Sequence, residues 1–541
     1  MNGQAILFGL DGATYTILDE LVRRGVMPFL GHFIAAGTRG VLMSTTPPLT
    51  PPAWTTMVTG RTPGYHGINN FLQYEMDGSP YIRVVSARQV QCETIWAMVS
   101  RYGRRAGCLN FIAHNPAPKI NGYVIPGWIP WRWVKKNSHP ADLVDRLRAE
   151  LPGFNVKELA MDFKEEQKAV AGATIEDYEP WIDLHIRRER QWFNALRHLM
   201  TNEPCELVGV VFDGVDKLQH LLWHYLDPAM EPAQTSKNYL CIRELCWDYF
   251  RQLDSFLEET VRLAGPESSV FIVSDHGFTG TNEVLYINTW LEQQEYLVWK
   301  EGMEIAPEDS QELGEAVPYH VTAFDVAKTR AYASHASSNG IHIPVRGKRG
   351  PEGIAPEEYE SFRQELIDRL LTHCVDPETG ERLVKRVWTR EEIFHGPMIE
   401  LAPDLTLTLR DDGFFSVLRS DKVHKKRPVV MGTHHPEGVF IGLGPGIRRG
   451  VAPAPLALVD VAPTILYTLD LPIPEDLEGR VIQEIFTPAH LAATALKAGP
   501  RTAAMNNSNG SRPDRSPSGE AEPEEEDAQI LSRLKALGYI E

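Results

Sequence analysis

Ala5-Ile6-Leu7-Phe8-Gly9-Leu10-Asp11-Gly12 is a run of six uncharged, mostly apolar residues stopped by an acid and a glycine. A short apolar run ending at a turn reads as a strand buried on both faces, the pattern of parallel sheets. The same signature recurs at Leu207–Phe212, which ends at Asp213-Gly214, and at Ser269–Val273, which ends at Ser274-Asp275-His276-Gly277. A fourth run is Gly438-Val439-Phe440-Ile441-Gly442-Leu443. Helical patterns lie between them; in residues 239–263 apolar positions recur at spacings of three and four. Strands alternating with helices predict an α/β fold, with a mostly parallel central sheet flanked by helices.

Two stretches break the alternation. Residues 116–204 begin with Pro126-Gly127-Trp128-Ile129-Pro130-Trp131-Arg132-Trp133, and residues 290–400 mix strand and helix patterns. Both read as insertions covering one end of the sheet, leaving core segments 1–115, 205–289 and 401–496. The tryptophans either line a substrate pocket or pack within the insertion. With 541 residues, 43% hydrophobic and 23% charged, the chain has an ordinary globular balance and room for a large core carrying insertions. Residues 497–527 are polar and acidic and read as a disordered linker. Within 528–541, Ile530, Leu531, Leu534 and Leu537 share one helical face before Gly538, so that helix is expected to dock on its own chain or on a second subunit.

The chain has 54 Lys+Arg against 72 Asp+Glu, a formal charge of −18, which argues against a dedicated nucleic-acid-polymer binder. No apolar run approaches the ~18–20 residues that a membrane-spanning helix needs. Met1-Asn2-Gly3-Gln4 lacks the basic region of a signal peptide. The six scattered cysteines (Cys92, Cys108, Cys205, Cys241, Cys246 and Cys374) suit free thiols in a reducing compartment, and a cytoplasmic location is expected.

Ligands of open α/β sheets sit beyond the carboxyl ends of the strands, and that is where the acids and imidazoles fall. Asp11 follows the first strand, Asp213 and Asp216 another, and Asp275-His276 a third; His434 and His435 precede the fourth, within an expected loop Gly432–Gly438. Asp216 and His220 are one helical turn apart, so they can grip one ion. Gly277 permits the turn that lets Asp275 and His276 face the same point. Carboxylate and imidazole donors in this mixture suit zinc, with manganese or iron less favoured. There are enough donors for two divalent ions, which can clamp the attacking and leaving oxygens of an in-line displacement at phosphorus. A nucleophile is available in Thr50, read as an N-cap followed by Pro51 at the first helical position, with the helix closing at Gly60. Thr45, Thr46, Thr55 and Thr56 compete on composition.

Taken in order, Leu10-Asp11-Gly12, Thr50-Pro51-Pro52 leading to Val58-Thr59-Gly60, His66-Gly67-Ile68, Asp216-x-x-x-His220, Ser274-Asp275-His276-Gly277, Gly432-Thr433-His434 and Asp460-Val461-Ala462-Pro463-Thr464 resemble the alkaline phosphatase superfamily, in its type I phosphodiesterase/nucleotide pyrophosphatase branch. The resemblance covers roughly residues 4–490. It implies that Asp11, Thr50, Asp275 and His276 bind one zinc and that Asp216, His220 and His434 bind the other. It implies too that Thr50 attacks phosphorus to form a covalent phospho-enzyme. His434 rather than His435 occupies the G-x-H position. The branch's oxyanion-stabilising Asn falls at Phe71 by offset, and Asn70 is the neighbouring candidate, so the resemblance does not carry over a nucleotide-base pocket. Sulfatases share the fold but need C-x-P-x-R, absent here, and the related phosphoethanolamine and phosphoglycerol transferases carry transmembrane helices. The expected activity is hydrolysis of phosphodiester or pyrophosphate bonds in a phosphorylated small molecule. Monoester or phosphonate hydrolysis on the same site, and a non-catalytic metal-binding role, are the alternatives.

Overall fold

The computed structural model describes residues 4–74, 82–160, 165, 166, 168, 169, 174–300, 324–348, 352–450 and 454–503. The linker beyond residue 503 and the helix expected over 528–541 lie outside the described residues. Eight strands build the main sheet: β1 (Ala5–Leu10), β2 (Thr38–Met43), β3 (Ala106–Leu109), β4 (Gly122–Ile125), β5 (Leu207–Phe212), β6 (Ser269–Val273), β7 (Glu437–Leu443) and β8 (Leu456–Ala457). Their spatial order is β8-β2-β7-β6-β1-β5-β3-β4. β1 is central, with Ala5 level with Leu207 of β5 on one side and Ser269 of β6 on the other, both parallel. Only β7 is reversed, antiparallel to β2 and to β6.

The buried-both-faces reading of β1 holds residue by residue. Ala5 and Leu7 join the hydrophobic cluster that contains Trp54 and Trp96, whereas Ile6, Phe8 and Leu10 join the opposite one, with Leu18, Phe33 and Phe250. Successive side chains of a strand alternate between faces, so helices must cover both. One cover is built by α2 (Ile175–Asn202), from the first insertion, and α4 (Lys237–Ala264), where Phe193 stacks on Phe256 with centroids 4.1 Å apart. The region 116–204 thus supplies the edge strand β4 as well as helices. The second insertion packs around a separate cluster, including Trp290, Ile341, Leu366 and Leu370, joined by Leu285 before it and Leu405 after it. No helix among the described residues is long and apolar enough to cross a membrane.

The single reversal at β7 positions the site. Parallel strands bring the residues after their carboxyl ends to one edge of the sheet; an antiparallel strand brings to that edge the residues before it. His434 and His435 do not lie in a loop, as the sequence suggests. They end the strand His424–His435, where His434 is opposite Phe278 and His435 opposite Gly277. The Lys425-Lys426-Arg427-Pro428 run obscures strand alternation, and the pairing slips register between Lys426 and Met431. This strand runs against α3 (Gly214–Leu226) so closely that a Cβ on Gly432 would lie 2.1 Å from the Gln219 carbonyl oxygen. Gly432→Ala is therefore expected to destabilise the protein by about 1–3 kcal/mol through backbone displacement, seen as a lower midpoint in urea unfolding; an unchanged midpoint would show that the contact yields without cost.

Candidate active site

Asp11, Asp216, Asp275, His276 and His434 are fully buried at the shared edge, and so is Thr50; His220 is partly exposed. Their polar atoms form two groups. In one, His276 Nε2 lies 3.3 Å from Asp275 Oδ2, 3.6 Å from Asp11 Oδ1 and 3.3 Å from Thr50 Oγ1. In the other, Asp216 Oδ1 lies 3.4 Å from His220 Nε2 and 3.3 Å from His434 Nε2, and the two Nε2 atoms are 3.0 Å apart. His276 sits between the groups, its ligand atom also within 4.8 Å of those of Asp216 and His434, and its ring stacks on His434 with centroids 3.7 Å apart.

The hydrogen bonds fix the state of the imidazoles. Each Nδ1 faces a backbone carbonyl, which can only accept: His220 Nδ1 donates to Gly432 O (3.2 Å), His276 Nδ1 to Gly277 O (3.1 Å) and His434 Nδ1 to Pro48 O (2.8 Å). The lone pairs therefore reside on the three Nε2 atoms, which converge. Such second contacts orient metal-binding histidines. Asp11 Oδ1 and Asp275 Oδ2 are buried and accept no hydrogen bond among the described residues. Burial first, then mutual repulsion with neighbouring carboxylates, holds Asp11 well above the usual carboxylate range. Burial does the same to Asp275 and pushes His276 and His434 down. Lone pairs and carboxylate oxygens aimed at one another repel unless a cation separates them. The donor set and its geometry fit divalent metal ions.

Thr50 departs from its sequence reading. The N-cap of α1 (Thr50–Thr59) is Leu49, so Thr50 is the first helical residue, and its hydroxyl pairs with His276 Nε2. Pro51 and Pro52 have no N–H, which removes two of the donors that a helix start normally leaves unpaired. The Thr50 hydroxyl thereby faces His276 instead of its own backbone. Three of its four competitors are engaged elsewhere: Thr55 Oγ1 donates to Pro51 O, Thr45 Oγ1 to Pro47 O, and Thr56 Oγ1 bonds His66 Nε2. His66 Nδ1 accepts from Ile68 N, so this histidine ties the His-Gly-Ile turn to α1, and burial lowers its pKa to about 3. Asn70 Oδ1 accepts from Phe71 N (2.7 Å) and from Ser337 Oγ (3.1 Å), a link to the second insertion. Among the described residues, neither of these bonds runs to the acid–imidazole cluster. His435 turns away, its Nδ1 accepting from Glu437 N.

Several contributing residues escaped the sequence reading. Trp54 Nε1 donates to Asp11 Oδ2 (3.3 Å), and Gly12 N to Asp275 Oδ1 (3.1 Å). Trp54 stands one turn after Thr50 on α1, a spacing that offered a signal. Lys217 Nζ lies 3.0 Å from Asp216 Oδ2, both fully buried; the signal there was a lone cation inside the apolar stretch 215–223. Asp213, level with the ligands in sequence, belongs to another network. Its Oδ1 accepts from Arg188 Nη1 (2.5 Å) and Asn110 Nδ2 (3.0 Å). Beside it, Glu189 Oε1 accepts from Gly214 N (2.7 Å). Arg188 and Glu189 sit in an Arg/Glu-rich helical run that reads as a solvated face, so no linear signal marks them.

A family model described as type I phosphodiesterase/nucleotide pyrophosphatase matches residues 5–437. Among solved structures, murine ectonucleotide pyrophosphatase/phosphodiesterase 5 aligns over 90% of this chain and 100% of its own, at 13% identity and a TM-score of 0.51. The human protein of the same name gives the same figures: 90%, 100%, 13% and 0.51. Phosphonoacetate hydrolase from Sinorhizobium meliloti 1021 aligns over 86% of this chain and 95% of its own, at 17% identity and a TM-score of 0.47. At these identities the ectonucleotide pyrophosphatases share the fold. No curated protein sequence matches the chain.

The network under α3 generates a pH dependence. Burial first, then Asp213, raises the Glu189 carboxyl from 4.5 to about 8. The folded state therefore holds a proton that the unfolded state releases above 4.5. The stabilisation is complete below that value and is lost as pH rises through about 8. Glu189→Gln is expected to flatten this part of the decline when unfolding free energies are measured by urea titration from pH 5 to pH 8; parallel slopes for the two proteins would place the proton elsewhere.

Proposed function

This chain belongs to the type I phosphodiesterase/nucleotide pyrophosphatase family and is a phosphoester hydrolase, and from that premise we propose that it cleaves phosphodiester or pyrophosphate bonds through a covalent phosphothreonine at Thr50. Asp11, Asp275, His276 and Thr50 would hold one divalent cation; Asp216, His220 and His434 would hold the other, with zinc favoured by the donor types. Supporting this reading above all is a fully buried hydroxyl 3.3 Å from an imidazole nitrogen inside a converging set of acids and imidazoles. When bound, the cations would lower the pKa of the hydroxyl and neutralise the phosphoryl oxygens.

The residues divide the remaining work. Thr50 Oγ gives up its proton and forms the bond to phosphorus while the bond to the leaving oxygen breaks, and that oxygen departs with the electron pair and takes up a proton. Water then attacks the phosphothreonine, and Oγ leaves as the regenerated hydroxyl. The start of α1 favours negative charge through its dipole, but Pro51 and Pro52 leave it short of amide donors, so charge on the phosphoryl group must be met by other groups. Trp54 and Gly12 fix the outer oxygens of Asp11 and Asp275, leaving the inner ones towards His276. Phe278 and Phe414 flank His434 at 5.2 and 5.3 Å between centroids, and such apolar walls strengthen electrostatics inside the cluster. The substrate is a phosphorylated small molecule. Six free cysteines, five of them buried, support a reducing compartment such as the cytoplasm.

Thr50→Ala is expected to lower turnover of bis-p-nitrophenyl phosphate on the order of 10³-fold or more while the purified protein keeps most of its metal. Unchanged turnover would remove Thr50 from the chemistry. A wild-type rate on the diester well above that on p-nitrophenyl phosphate is expected, and the reverse ratio would favour the monoesterase alternative.

A further inference from the structure

Lys217 follows a proposed metal ligand directly in sequence, and no step above uses it. It is fully buried, with Nζ 3.0 Å from Asp216 Oδ2 and 4.6 Å from the centre of the Trp128 ring. A buried ion pair is a poor source of net stability, because removing two charges from water offsets their attraction. Its use must lie elsewhere, and the two oxygens of Asp216 indicate where. Oδ2 meets the ammonium, whereas Oδ1 is the atom 3.4 and 3.3 Å from His220 Nε2 and His434 Nε2.

The first insertion supplies the other half of the arrangement. Trp128 comes three residues after β4, at the same sheet edge as the acids. Its φ is +62°, a left-handed conformation that is an outlier for a bulky side chain. Such strain persists only where surrounding contacts over-determine it, and it gathers at functional sites. Here Asn110, itself at φ +63°, holds the turn: its side chain bonds Val211 O and Asp213 Oδ1, and it lies so near Gly127 that a Cβ there would fall 2.0 Å from Asn110 Oδ1. The indole that results covers the ammonium by a cation–π contact.

We propose that Lys217 is a positioning residue that holds Asp216 by its outer oxygen and turns the inner one to the histidine pair, with the strained Trp128 ring fixing the ammonium. This rests on the two-cation reading above. Lys217 thereby sets chiefly the affinity of one of the two cation positions, the one formed by Asp216, His220 and His434, whose carboxylate its ammonium touches. It does so from the side facing the first insertion, whose Trp128 completes the clamp.

The test is metal uptake by stripped full-length protein, titrated with Zn²⁺ against a chromophoric chelator and without substrate. Wild type is expected to take two equivalents. In Lys217→Gln, one equivalent should weaken 10- to 100-fold, and it should be the equivalent that His220→Ala also weakens, while the second changes far less. Equal weakening of both equivalents, or of neither, in a variant that melts cooperatively overturns the proposal. If Lys217→Gln does not fold, Trp128→Leu decides: it keeps the charge and should weaken the same equivalent about two- to tenfold, and no change there is equally fatal. A wild-type chain that binds no zinc overturns the two-cation reading along with this proposal, whereas unchanged turnover in Thr50→Ala would overturn the phosphothreonine step alone and leave the zinc titration, and hence Lys217's role, standing.

Discussion

Like-natured groups crowd together, buried, at the edge of the main sheet. Three aspartates and two histidines are fully buried there, and a third histidine leans in from α3. Charges in such surroundings interact far more strongly than in solvent. Left to themselves, Asp11 and Asp275 rise above their usual range and His276 and His434 fall below theirs. The rest of the molecule is arranged around tolerating that conflict. Carbonyls of Pro48, Gly277 and Gly432 fix the imidazole tautomers, Trp54 and Gly12 occupy the outer carboxylate oxygens, and the sheet supplies rigid strand ends. A site that costs energy when empty favours a cation when one is offered.

Chain direction does the gathering. β1, β5 and β6 end at the edge, and the reversed β7 begins there. Four acid- and imidazole-bearing segments spread over more than 400 residues of sequence thus meet. The helices on the two faces belong to the same logic, since only a sheet covered on both sides allows strands as apolar as β1.

Much of this is legible in residues alone, for identifiable reasons. Asp11, Asp275 and His276 stand directly after apolar runs, where strand ends are easy to recognise. Asp216 and His220 are linked by helical spacing. The misreadings are equally specific. Thr50 reads as a cap because Pro51 comes next, yet the second proline allows the helix to begin one residue earlier. His434 reads as a loop residue because its strand passes through three basic residues and a proline. Arg188 and Glu189 act through Asp213 and Gly214, and Trp128 through Lys217, all distant in sequence, and no local pattern encodes such pairings. Asn70 bonds Ser337 of the second insertion, a contact unreadable without the fold.

The second insertion rests on a hydrophobic cluster separate from the two that sandwich the main sheet. It meets the segment after α1 through polar contacts: Ser337 with Asn70, Leu401 O with Asn69, and Met398 N with Gly64 O. Mutations within that interior, away from Leu285, are expected to spare the packing around the buried aspartates. Evolution can therefore remodel what approaches the hydroxyl, repeatedly and at little risk, while the machinery beneath it stays as inherited.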